Sequence, residues 1–131
     1  MTGLAQIGGL HHYAYKCRNA EETRSFYEDL LGLPLAHVIQ ADEVPSTGAS
    51  DPYVHLFFEF ADGSYIAFFD LGDEKACTPD SETPSWVNHF AMHVPTVKDV
   101  KRWKERLENA GIDVIGITDH DFVKSIYFFD P

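Results

Sequence analysis

The chain has 131 residues, enough for one hydrophobic core, so we expect a single domain that spans residues 1–131. Its formal net charge of −11 at pH 7 would repel phosphate backbones and anionic lipid surfaces, which argues against nucleic acid and membranes and in favour of a small-molecule partner. Cys17 and Cys77 are isolated and no apolar run is long enough to cross a bilayer, so we expect free thiols and a cytoplasmic protein.

The first half of the chain predicts one strand, one helix and three further strands. Residues 10–17 are rich in aromatic side chains and too short for a helix before the polar residues that follow, which favours a strand. Asn19 and Glu22 have the spacing of a helix N-terminal cap pair, and Gly32 stands where the apolar stripe of this helix ends. The remaining strands are expected at residues 35–41, 54–60 and 64–71.

The second half of the chain repeats the first at an offset of 77 positions. Residues 86–92 (Trp-Val-Asn-His-Phe-Ala-Met) match residues 9–15 (Gly-Leu-His-His-Tyr-Ala-Tyr), so His89 corresponds to His12. A cap pair recurs at Thr96 and Asp99, before a second predicted helix that ends near residue 111. Strands are expected at residues 87–94, 113–117 and 124–129.

This duplication predicts an α+β fold made of two β-α-β-β-β modules. Module one covers about residues 8–71, a linker covers residues 72–85, and module two covers about residues 86–131. The final strand of the second module, which would match residues 64–68 of the first, is missing before Pro131, and we expect it beyond that residue.

His12 and His89 stand at the same point of the two copies, which favours a shared role. Alternate side chains of a strand share one face, so the small Ala14 would accompany His12, and Ala91 would accompany His89. Two neutral imidazoles and one carboxylate can occupy one face of an octahedral metal ion and leave the opposite positions open for substrate. The alternative is that both histidines bond to backbone groups in a packed core. His93 shares the predicted face of His89 and is a candidate substrate contact.

The remaining histidines are expected to be structural. His11 and Asn88 immediately precede His12 and His89, so strand alternation would turn them to the opposite side. His37 and His55 belong to no recognisable motif.

Several motifs together resemble the vicinal oxygen chelate superfamily over nearly the whole chain. They are the duplicated module pattern, Leu-His-His-Tyr at residues 10–13, Ser-Phe-Tyr at 25–27, Leu-Gly-Leu at 31–33, Asn-His-Phe-Ala at 88–91 and Ser-Ile-Tyr-Phe-Phe-Asp-Pro at 125–131. The resemblance implies a cupped, barrel-like mixed sheet with helices on the outside, around a divalent metal ion. It also implies that His12 and His89 are metal ligands, and that the third ligand is a glutamate, expected beyond Pro131.

Within this superfamily the extradiol ring-cleavage dioxygenases match best. Glyoxalase I usually adds a glutamate ligand from the last strand of its first module, where residues 66–68 of this chain read Ile-Ala-Phe. In extradiol enzymes a tyrosine followed by two apolar residues and Asp-Pro lies beside the substrate, and Tyr127 has that position. A histidine upstream of this tyrosine binds substrate or transfers a proton, and His120 is the candidate. The Gly-Ser-Tyr of residues 63–65 replaces a second family histidine, which departs from the pattern of catechol cleavage.

The resemblance therefore predicts a metal-dependent dioxygenase that cleaves a small aromatic diol. Fe(II) is the expected metal, with Mn(II), Ni(II) or Zn(II) as alternatives. His120 and Tyr127 would be catalytic, whereas His93 and Phe68 would contact the substrate. A core position for Tyr127 and a solvated loop position for His120 are the structural alternatives.

Two other functions fit the same superfamily. One is a glyoxalase-like lyase or isomerase, which uses the metal ion as a Lewis acid without dioxygen. The other is a metal-free, bleomycin-resistance-like module that binds a drug in a groove lined by Trp86, Phe57, Phe68 and Tyr65. We expect a homodimer in each case.

Overall fold

The computed structural model describes residues 3–76 and 80–131, which fall into two compact units. The first unit contains the described residues up to position 76, and the second runs from residue 80 to Asp130. Helices and strands are both present, which confirms the predicted α+β class. No helix within these ranges has the length and apolar character needed to span a membrane. Cys17 is a buried free thiol as predicted, and Cys77 lies outside the described residues.

The first unit has the predicted β-α-β-β-β order. Its elements are β1 (His12–Cys17), α1 (Ala20–Arg24) continued by a π-helical segment (Ser25–Leu30), β2 (Leu35–Ala41), β3 (Tyr53–Glu59) and β4 (Tyr65–Asp70). The four strands form one mixed sheet in the spatial order β1-β4-β3-β2. β1 and β4 are parallel, with His12 opposite Tyr65, whereas the other neighbouring strands are antiparallel.

The helix of the first unit begins and ends where the sequence predicts. The Asn19 side chain accepts a hydrogen bond from the backbone N–H of Glu22 at 2.9 Å, which satisfies one of the free donors of the first turn. In the last turns the N–H of Leu31 bonds to the carbonyl of Phe26, five residues earlier, and this widens the helix into π geometry. Gly32 has a φ of +76°, so it ends the helix in the left-handed conformation that glycine adopts without strain.

The core of the first unit lies between this helix and one face of the sheet. The Tyr27 ring packs 5.5 Å from the Phe58 ring and 4.9 Å from the Phe68 ring, measured between centroids. Tyr15 of β1 extends the same layer, 6.4 Å from Phe68. Phe68 is only 3% exposed on this helix-covered face. It is therefore a core residue and not the substrate contact expected from the sequence.

The second unit contains one helix and a two-stranded sheet. α2 (Val97–Asn109) begins with the predicted capping box, in which Thr96 and Asp99 exchange side-chain-to-backbone hydrogen bonds. β5 (Ile115–Asp119) pairs antiparallel with β6 (Lys124–Tyr127), and α2 packs against β6. Both strands are at the predicted places, although β5 starts two residues later and β6 ends two residues earlier than expected.

The predicted strand at residues 87–94 is wrong. These residues form no strand ladder in the described part of the second unit. Their counterpart in the first unit, β1, has β4 as its hydrogen-bonding neighbour. The described second unit contains no strand equivalent to β4, so the backbone groups of residues 87–94 lack the partner that a strand requires.

Gly116 in β5 provides a test of the second unit. Its φ is +110°, and a Cβ built on it would lie 2.7 Å from the carbonyl oxygen of Ser125. We expect Gly116→Ala to lower the free energy of unfolding by about 2 kcal/mol, because the backbone conformation and the strand spacing would both have to change. Urea unfolding followed by circular dichroism measures this loss. Gly8→Ala is the control, since a Cβ there meets nothing within 4 Å, and equal curves for the two variants would contradict the expectation.

Candidate functional site

The sheet face opposite the helix of the first unit carries histidine and aromatic side chains. Strand alternation places these residues on one side, and their rings are in contact. The His12 centroid lies 6.5 Å from that of His55 and 5.4 Å from that of Phe57. His37 of β2 lies at the edge of this group, 5.7 Å from Tyr65. We call this surface the histidine face, and it comprises His12, His55, Phe57, Tyr65 and Phe69.

His11 lies beside His12 and not on the opposite side. The two Nδ1 atoms are 2.9 Å apart, and the His11 ring is also 5.5 Å from the ring of Tyr65. His11 precedes β1, so strand alternation does not determine the direction of its side chain. One of the two Nδ1 atoms must carry the shared hydrogen. When His12 is the donor, its Nε2 keeps a lone pair that can bind a metal ion.

His55 is the one histidine of the chain that is buried, at 8% exposure. Its ring stacks on Phe69 with a centroid separation of 3.7 Å and an interplanar angle of 16°. Burial lowers the pKa of His55 and the neighbouring His12 lowers it further, so the ring is neutral near pH 7. Among the described residues, its Nε2 is the buried side-chain nitrogen or oxygen that has no hydrogen-bond partner.

No sequence motif singled out His55, and its alternation with Tyr53 and Phe57 was the one available signal. That alternation places a titratable side chain between two aromatic ones on a single face of β3. Its burial depends on Phe69 of the neighbouring strand, which a reading of β3 alone does not include. The expectation that His55 is structural therefore needs revision.

Carboxylates are scarce on the histidine face. β4 contributes Tyr65, Ala67 and Phe69 to it, none of which has a carboxylate. Glu59, at the end of β3, pairs with Tyr65 in the sheet register. Burial raises the pKa of Tyr65, and a hydrogen bond with Glu59 raises it further.

The second unit brings three predicted site residues together. His120 Nε2 and the Tyr127 hydroxyl are hydrogen-bonded at 2.8 Å, and the His89 ring lies 6.2 Å from the Tyr127 ring. His120 follows β5 and Tyr127 ends β6, so the β5–β6 hairpin joins them across seven positions of sequence. His93 is exposed, and the contacts described for this unit do not join it to the other three.

The hydrogen bond of His89 determines which of its nitrogens can bind a metal. His89 Nδ1 lies 2.9 Å from the backbone carbonyl oxygen of Val87. A carbonyl only accepts hydrogen bonds, so Nδ1 carries the hydrogen and Nε2 has the free lone pair. A metal-binding histidine typically has its other ring nitrogen oriented in this way by a backbone carbonyl or a carboxylate.

The donor chemistry of His12 and His89 fits a divalent metal ion, because each residue can present a bare Nε2. Two ligands are not a complete site, however. In residues 3–76 and 80–131 no three His, Cys, Asp or Glu side chains lie close enough together to hold a metal ion. The described residues therefore supply candidate ligands without assembling a three-ligand centre.

The aromatic residues expected to line a drug-binding groove are divided between different environments. Phe57 and Tyr65 lie on the histidine face, with 5.9 Å between their centroids. Phe68 is in the core, and Trp86 belongs to the second unit, where it is 78% exposed. These four residues do not form one described surface.

The tautomer of His89 can be measured directly. In metal-free protein at pH 8, we expect nitrogen-15 NMR to show a protonated Nδ1 and a bare Nε2 for His89, because the Val87 carbonyl requires a donor. A His89→Gln variant assigns the resonances. The opposite tautomer, with the hydrogen on Nε2, would contradict the geometry of this site.

The sequence of the chain matches the model of the Glyoxalase/Bleomycin resistance protein/Dioxygenase superfamily over residues 9–131. The protein belongs to this superfamily. This membership confirms the family predicted from the duplicated histidine motifs.

Individual relatives are distant. The chain is 25% identical to MhqA of Bacillus subtilis (strain 168), a protein provisionally named a ring-cleaving dioxygenase, over 88% of this chain and 38% of that relative. The chain thus spans well under half the length of this curated relative.

Solved structures of the superfamily share the fold. FosX from Listeria monocytogenes, a fosfomycin resistance protein crystallised with Mn(II) and 1S,2S-dihydroxypropylphosphonic acid, superposes with a TM-score of 0.64 at 20% identity, over 95% of this chain and 86% of FosX. The trypanothione-dependent glyoxalase I of Leishmania major has a TM-score of 0.69 at 16% identity, over 95% and 81% of the two chains. At these identities the likeness establishes the fold and not the reaction.

Proposed function

We propose that this protein is a metal-dependent dioxygenase that opens the ring of a small aromatic diol by extradiol cleavage. The observation that carries the proposal is the arrangement around Tyr127, which bonds to His120 and lies beside His89. A candidate metal ligand, a hydroxyl and an imidazole in contact are what proton transfer next to a chelated diol requires. The provisional dioxygenase name of the Bacillus relative supports this choice within the superfamily.

In this proposal His12 and His89 each supply one imidazole nitrogen to a divalent metal, with Fe(II) as our first choice. Mn(II), the ion crystallised with Listeria FosX, is the leading alternative. When bound, the ion would supply Lewis acidity that lowers the pKa of a chelated hydroxyl. A carboxylate would complete the ligand set, as in the two-histidine, one-carboxylate sites of non-haem iron oxygenases.

The residues of the chain would handle the proton that the substrate diol loses. His120 Nε2 can accept a hydrogen from the Tyr127 hydroxyl across their 2.8 Å contact, and that hydroxyl can in turn accept one from the substrate. The Tyr127 side chain is 37% exposed, so a ligand can approach it. Dioxygen is the second substrate, and both of its atoms enter the ring-opened product.

A glyoxalase-like lyase or isomerase is the second candidate, and the histidine face argues against it. Such an enzyme would place a carboxylate on the last strand of the first module. On that strand the residues of the histidine face are Tyr65, Ala67 and Phe69. An exchange of protons without dioxygen thus lacks an evident carboxylate base in the first unit.

Metal binding tests the ligand assignment. We expect His12→Ala and His89→Ala each to weaken Fe(II) or Mn(II) binding by at least about 100-fold, because each removes one ligand nitrogen. Calorimetric titration under nitrogen gives the dissociation constants. His37→Ala is the control, since it removes an exposed imidazole at the edge of the same sheet, and it should leave the affinity unchanged. Equal affinities for all three variants would refute the assignment.

Oxygen consumption tests the reaction. With Fe(II) and a catechol, we expect one dioxygen to be consumed for each yellow ring-opened product, and Tyr127→Phe to lower kcat by about 100-fold through loss of the proton-transferring hydroxyl. An oxygen electrode and visible absorbance follow both quantities together. Turnover of the diol with no oxygen uptake would favour the lyase or isomerase instead.

We also propose that the chain forms a homodimer, because modules of this superfamily can pair between two chains as well as within one. Light scattering at micromolar concentration should give twice the chain mass of 14.8 kDa. A monomer under these conditions would exclude the dimer.

A further inference from the structure

The unpaired nitrogen of His55 is costly for the folded protein. Leaving a buried polar atom without a hydrogen bond destabilises a protein by about 1–3 kcal/mol, and most such atoms in native structures are paired. The next residue of β3 on the same face is Phe57, so an aromatic hydrocarbon side chain is compatible with this surface. A phenylalanine at position 55 would avoid the cost.

The position of His55 indicates what its nitrogen can serve. The Phe69 ring stacks against its plane, so the polar edge of the imidazole is the part that remains for other contacts. The His12 ring is its neighbour at 6.5 Å, while His12 Nδ1 is already engaged with His11. The buried nitrogen therefore belongs to the surroundings of the side chain that we assign to the metal.

We propose that His55 Nε2 binds a hydroxyl oxygen of the substrate, and that this bond selects an aromatic diol over an apolar ring. The inference rests on the proposed function, in which His12 helps to anchor the same diol. A neutral imidazole has one N–H and one bare nitrogen, so Nε2 can either donate to the oxygen or accept its hydrogen. A site with an unpaired polar atom rejects analogues that lack the matching group, because the atom then stays unsatisfied.

This role predicts opposite effects on stability and on binding. We expect His55→Phe to raise the midpoint of thermal unfolding by about 5 °C in the ligand-free protein, because the ring stacking is retained and the unpaired nitrogen is removed. Thr23→Val is the matched control. Thr23 is also a buried polar residue, at 3% exposure, but its hydroxyl donates a 2.9 Å hydrogen bond to the Asn19 carbonyl, so this change should lower the midpoint.

A lower midpoint for His55→Phe would show that the imidazole is a structural group. That result would overturn the inference before any ligand is added.

Binding is measured with 4-nitrocatechol, whose visible spectrum reports its hydroxyl groups. We expect His55→Phe to raise the dissociation constant of this probe about 10-fold or more, and Thr23→Val to leave it unchanged. His55→Gln keeps a hydrogen-bonding side chain and should restore part of the affinity. Nitrobenzene, which has no hydroxyl group, should bind His55→Phe at least as well as it binds the wild type.

Metal content measured on the same samples separates the two proposals. If the wild type takes up no Fe(II) or Mn(II), the proposed function fails, whatever the His55 variants do. If metal uptake is normal but wild type and His55→Phe bind 4-nitrocatechol equally, the role of His55 fails and the proposed function stands. Absence of any 4-nitrocatechol binding by the metal-loaded wild type would also overturn the role of His55.

Discussion

The parallel pairing of β1 with β4 is the constraint on which the candidate site of the first unit depends. It places His12 opposite Tyr65 and Ala14 opposite Ala67. Because β4 lies between β1 and β3, the side chain at position 67 separates His12 from the residues of β3. Ala67 is fully buried and small, so the rings of His12 and Phe57 approach to 5.4 Å across it. The histidine face thus exists because a methyl group stands at its centre.

The second unit reaches a related arrangement by different contacts. Residues 87–94 have no ladder in the described structure, and His89 is oriented by a hydrogen bond to Val87 within the same segment. Tyr127 and His120 depend on the β5–β6 hairpin instead. A duplicated sequence has therefore produced two histidines with equivalent positions, one oriented by a neighbouring histidine and one by the local backbone.

Local signals predicted the elements well, and contacts between strands explain what they missed. The caps at Asn19 and Thr96 depend on neighbouring residues, so spacing alone located both helices. The strand predicted at 87–94 failed because a strand also needs a partner, which no local pattern supplies. The same reason applies to His55, whose burial comes from Phe69 on β4, and to Phe68, whose alternation faces the helix. His120 and Tyr127 were paired correctly because the short hairpin between them keeps the two residues close.

The central claim is that one imidazole from each half of the chain binds the same metal ion. Pulsed electron paramagnetic resonance of Mn(II)-loaded protein, labelled with nitrogen-15 in histidine only, counts the imidazole nitrogens bound to the ion. The account predicts two, falling to one when either His12 or His89 is replaced by alanine. A spectrum with no coupled histidine nitrogen, or one that neither replacement changes, would contradict it.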